Sequence, residues 1–93
     1  MVGCYAGAAE DGNATYHSRS AGMSIGPADR ARLDRIAGEF RRYIARTYGA
    51  TPELSICHAF PSQQTFEEWL VGQRSADQMF GMRPVQTEWR PHE

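Results

Sequence analysis

The chain reads as a single small α+β domain, residues 1–93, in the order β-β-α-β-α-β: an antiparallel or mixed sheet with one long and one shorter helix packed on it. Three features carry that reading. Segment 27–48 repeats its apolar side chains at three- and four-residue steps. Segment 53–60 alternates apolar and small or polar residues with period two. The branched and aromatic stock (three Val, three Leu, four Ile, four Phe, four Tyr, two Trp) suffices for one core and not for two.

The first region, 1–26, holds two short β-tolerant runs, 2–8 and 14–20, around Glu10-Asp11-Gly12-Asn13, a turn-forming group. A hairpin follows, although Gly and Ala dilute its first strand. The long amphipathic helix is expected over 27–48. Pro27 suits the first helical position, Asp29 the first turn and Gly49 the stop. Leu33, Ile36, Phe40 and Ile44 form its apolar stripe, flanked by Ala37 and Tyr43.

Thr51-Pro52 turns the chain into a strand at 53–60, expected to be central in the sheet. Leu54, Ile56, His58 and Phe60 share one face; Ser55, Cys57 and Ala59 share the other. Pro61-Ser62 opens a helix over 62–80, either continuous or split at Gly72 into two short ones. Thr65-x-x-Glu68 is an alternative capping box there, and Ser75-x-x-Gln78 a cap for a further short turn. Val85, Thr87 and Trp89 alternate with polar neighbours in a last strand, 84–90. The simplest arrangement places both helices on one face of the sheet.

Net charge is −1, but its distribution is uneven. All ten cations are Arg, and six of them fall between 27 and 52, while the remainder of the chain is slightly acidic. On the helix, Arg35, Arg42 and Arg46 gather opposite the apolar stripe, and Arg32 borders them. Such a ridge could meet phosphates or an acidic protein surface. Glu39 and Asp34, spaced three and four from Arg neighbours, favour an internally neutralised, solvated face instead.

Chemistry-bearing patterns are sparse. Gly22-Met23-Ser24-Ile25-Gly26 matches a nucleophile elbow just before a helix, but the fold that hosts such elbows is much larger than this chain. Cys57-His58 looks like a thiol dyad on paper, yet strand neighbours point to opposite faces. His17 or His92 could reach Cys57 only through space. Cys4, His17, Cys57, His58 and His92 lack zinc-site spacing, so no metal is expected. No Walker loop or dinucleotide fingerprint occurs, so no cofactor is expected either. Cys4 and Cys57 permit one disulfide. Without a secretory leader or an apolar run of membrane-spanning length, a cytoplasmic home with reduced thiols and no membrane partner is expected.

The remaining cluster is Met79, Phe80, Met82 and Trp89, with Trp69, in the acidic C-terminal half. These residue types are enriched at interface centres, and two glycines and a proline nearby make complete burial difficult. The expected function is therefore a non-catalytic binding protein. It would dock on a larger protein or ribonucleoprotein and modulate or inhibit it, using Arg32, Arg35, Arg42, Arg46, Met79, Phe80, Met82 and Trp89. A nucleic-acid-binding regulator using the Arg-rich helix is one alternative; a small hydrolase or thiol enzyme using Ser24 or Cys57 with a His is another. A homodimer is open. In size, compactness and absence of a catalytic motif the chain resembles, as a genre, small phage inhibitors of host defence such as anti-CRISPR proteins. That resemblance implies inhibition by occlusion and assigns no residues.

Overall fold

The computed structural model describes residues 1–7 and 13–93. Six elements follow in the expected order: β1 Val2–Gly7, β2 Ala14–His17, α1 Arg30–Tyr48, β3 Leu54–Ala59, α2 Gln63–Met79 and β4 Arg83–Gln86. They form one four-stranded mixed sheet, order β3-β1-β2-β4, with a helix on each face. β1 is antiparallel to both β2 and β3, and β4 runs parallel to β2. The turn residues 10–12 expected to close the hairpin lie outside the described residues.

β3, expected to be central, is an edge strand; the central place goes to the Gly- and Ala-rich β1. Its small residues explain why. Val2, Cys4 and Ala6 face the core built on Leu33, Ile36, Phe40 and Ile44 of α1. Gly3 and Tyr5 face α2. A β-carbon at Gly3 would stand 2.1 Å from Cε1 of Phe66, so α2 packs directly on bare backbone. A strand covered at close range on both faces needs small side chains more than it needs β-branched ones.

The helices lie on opposite faces, not on one. The β2-α1-β3 crossover moves one way across the sheet and β3-α2-β4 moves back. Two crossovers of the same hand in opposite directions must use opposite faces, and right-handedness is the strong preference. Sequence periodicity carries no information on lateral direction.

Element ends also shift. α1 starts at Arg30 rather than Pro27. Asp29 occupies the N-cap position, but its carboxylate accepts the Gly26 N–H at 3.1 Å instead of capping the helix. Gly49 ends α1 in the left-handed region, φ 67°. α2 is continuous through Gly72 and Ser75, and Ser62 with Thr65 forms its capping box. β4 stops at Gln86, short of the expected 90. Beyond it, the N–H and hydroxyl of Thr87 both donate to the His17 carbonyl, at 2.9 Å each.

Cys4 and Cys57 are joined as a disulfide between β1 and β3, where reduced thiols were expected. The reason is register. The Cys4 carbonyl accepts the Ser18 N–H and the Cys4 N–H donates to the Ser18 hydroxyl, both away from β3, so Cys4 and Cys57 face each other at a non-hydrogen-bonded pair. At such pairs opposing side chains approach most closely. No described helix is long and apolar enough to cross a membrane.

Candidate functional site

On the α2 face, polar side chains from three elements converge on one carboxylate. β2 presents Thr15 and His17 on a single face by its two-residue repeat, and β1 presents Tyr5 directly opposite His17. From α2, Asp77 descends between them and is nearly fully buried. Its Oδ2 accepts from Thr15 Oγ1 at 2.7 Å and from His17 Nε2 at 3.1 Å. Its Oδ1 accepts from the Tyr5 hydroxyl at 3.3 Å and from Gln73 Nε2 at 3.3 Å. Four donors thus satisfy a buried acid that sits near the C-terminal, negative end of its helix, where the backbone dipole disfavours it.

The imidazole is wholly buried. Burial pushes its pKa down, the hydrogen bond and charge of Asp77 oppose this, and the Arg74 guanidinium adds to the lowering. A neutral ring that donates from Nε2 leaves Nδ1 as a bare acceptor. That atom is buried without a partner among the described residues, as is Nε of Arg74. Arg74 otherwise donates to Gln86, which in turn donates to the His17 carbonyl. Burial, then the neighbouring Asp77 charge, raises the Tyr5 hydroxyl.

The same Asp77 anchors the end of α2. Its carbonyl accepts the Met82 N–H at 2.7 Å, and the Gln78 carbonyl accepts the Gly81 N–H at 3.1 Å. With Gly81 at φ 77°, this is a complete Schellman cap. Met79 and Phe80 ride on that cap and are 82% and 81% exposed, the most exposed large apolar side chains among the described residues. The cap is therefore held twice by one residue, through its side chain to the sheet and through its carbonyl to Met82.

Other residues singled out from the sequence are scattered. Trp89 is core: it stacks on Phe40 with ring centroids 5.0 Å apart. Met82 is half-buried. Arg32 pairs with Glu93 and Asp29, Arg42 with Glu39, and Arg30 with Asp34. Arg35 and Arg46 are exposed and form no ion pair among the described residues. Ser24 is exposed, and its carbonyl accepts from Arg32. Cys57 is closed into the disulfide, and His58 lies on the other face, with its ring 5.6 Å from that of Trp69. His92 Nδ1 meets the Arg90 carbonyl. Among the described residues no hydrogen bond joins Ser24 or Cys57 to a histidine, the contact that the alternative of a hydrolase or thiol enzyme requires.

A shallow cleft of about 230 Å³ opens beside Ser18, Ser20, Gln63 and Gln86, but its polar groups are already hydrogen-bonded within the protein. Arg19 pairs with Glu88, Arg90 donates to the Ser20 carbonyl, and the Ser20 hydroxyl donates to Gln63. Among the described residues no group of three His, Cys, Asp or Glu side chains is placed to hold a metal ion.

Sequence reasoning missed the Asp77 cluster. Two signals were present: an acid in the last turns of a helix, against the dipole, and a Thr-x-His pair on one strand face. Neither identifies its partner without the sheet order. Comparison with protein-family models, curated proteins and solved structures finds no match to this chain.

Proposed function

We propose that this protein is a non-catalytic binding module that docks on a larger protein through Met79 and Phe80. The observation that carries the reading is the contrast at the end of α2. Two adjacent large apolar side chains stand almost fully in water, on a backbone turn fixed by the buried Asp77 network and a Schellman cap. A backbone turn that is already fixed adds no backbone ordering cost on binding, so only the rotamers of the two side chains need to be immobilised. A projecting pair fits an apolar cleft on the partner that is wide enough for an aromatic ring.

The Arg ridge supports the reading less than the sequence suggested. Two of its four cations, Arg32 and Arg42, are compensated within the chain, leaving Arg35 and Arg46 to contribute at a rim.

The test is affinity capture from cells of the source organism with wild-type protein, Met79→Ser/Phe80→Ser, and Arg35→Glu/Arg46→Glu, each first checked for native circular dichroism. A stoichiometric partner lost with the apolar double variant and retained with the Arg variant supports the docking mode. Equal recovery with wild type and the apolar variant overturns it.

A further inference from the structure

The Asp77 cluster holds one group, the His17 imidazole, whose ordinary pKa lies near neutral pH, and it is placed where a second ring proton finds no acceptor among the described residues. Every element packed around His17 contributes to this. From α2 come the Asp77 carboxylate and the Arg74 guanidinium. β1 supplies the Tyr5 ring at 5.3 Å, and β2 supplies Thr15. β4 supplies Gln86, which is spent on the His17 carbonyl and on Arg74. Nε2 is already committed to Asp77, so an incoming proton must go to Nδ1. There it creates a buried N–H with no acceptor among the described residues, beside an existing cation.

We propose that the His17–Asp77 contact is a pH-operated latch: protonation of His17 at Nδ1 releases the Asp77-anchored cap of α2 and withdraws Met79 and Phe80 from docking. The regulatory half of this statement rests on the docking reading above; the latch itself does not. Attraction between a charged imidazole and Asp77 opposes release. Burial of the ring outweighs that attraction, because the His17 pKa lies below its usual value despite the carboxylate. The released unit is local because Asp77 supplies both the side-chain anchor to the sheet and the carbonyl that closes the cap on Met82, and the other cap bonds, Gly81 to Gln78 and Phe80 to Ala76, lie within the same turn. α1 and its core lie on the opposite face of the sheet and share none of these bonds.

The experiment is amide exchange on the full chain by NMR from pH 7.5 to 5.0, with protection factors corrected for intrinsic rates. The His17 ring proton is followed in the same samples. The expected result is at least a tenfold loss of protection at Phe80, Gly81 and Met82 as pH falls below the free imidazole value of about 6.5, while Ile44 and Phe40 in α1 change little. His17→Gln keeps a donor for Asp77 and cannot titrate, so its cap protection should be flat over this range. Cap protection that stays constant from pH 7.5 to 5.0 overturns the latch, and so does simultaneous loss at α1. Should His17→Gln fail to fold, the wild-type titration alone decides. Met79→Ser/Phe80→Ser separates the two ideas: it should abolish docking yet retain the pH-dependent opening. Docking that fails with the latch intact condemns only the binding mode.

Discussion

His17 Nε2 lies 3.1 Å from Asp77 Oδ2, and these two residues, sixty positions apart in sequence, tie the end of α2 to the strand beneath it. The contact joins a buried base and a buried acid that gain their hydrogen bonds only in the assembled sheet. Its loss should be costly for that reason.

Asp77→Ala removes the acceptor for Thr15, His17, Tyr5 and Gln73 at once. Burying several unmatched donors costs about 3 kcal/mol in total, since each fully buried unsatisfied group costs about 1–3 kcal/mol. Urea unfolding at pH 7.5 should show a much lower midpoint. A variant within 0.5 kcal/mol of wild type, the level of an ordinary surface change, would show that the network carries no stability.

Stability should also depend on pH with a definite sign. The folded His17 pKa is depressed by burial, while the unfolded value is near 6.5. Between the two, the unfolded chain binds more protons, so unfolding becomes easier as pH falls. The contribution of the neutral ring is fully present above about pH 6.5 and is lost progressively below it. Thermal unfolding of wild type and His17→Gln at pH 7.5 and 5.5 checks this: the gap between the pH values should narrow in the variant.

The Cys4–Cys57 bridge closes a sequence separation of 53 residues. Restricting an unfolded loop of that size is worth about 4 kcal/mol in the chain-entropy account. Reduction, or Cys4→Ala/Cys57→Ala, should lower the unfolding free energy by an amount of that order while β1 and β3 remain paired. Mass spectrometry with thiol labelling reports the oxidation state in the same samples.

Gly3→Ala should destabilise the fold because the new methyl meets the Phe66 ring at an impossible 2.1 Å. Forced overpacking costs about 1–3 kcal/mol. Phe66→Leu, introduced with it, should recover part of the loss. If Gly3→Ala alone is neutral by chemical denaturation, α2 does not sit as closely on β1 as described.

Met79→Ser/Phe80→Ser should leave stability within about 0.5 kcal/mol of wild type, since neither side chain is buried. A large loss of stability would mean that the pair serves the fold itself and is not a spare surface.

Periodicity within a segment was enough to recover α1, β3 and α2, because their apolar side chains recur at 3.6 or two residues whatever the neighbours are. The α1 stripe Leu33, Ile36, Ala37, Phe40 and Ile44 is buried as that rule requires. Trp89 shows its limit: an aromatic in a loop-rich tail carries no period, and only its stacking on Phe40 reveals it as core. Strand order, the opposite placement of the helices and the disulfide register depend on lateral direction and pairing, which a one-dimensional pattern does not encode. The Asp77 cluster belongs with these. Tyr5, Thr15, His17 and Asp77 are unremarkable as isolated letters, and they become a network because a central strand of small residues lets α2 approach closely enough for one carboxylate to reach them all.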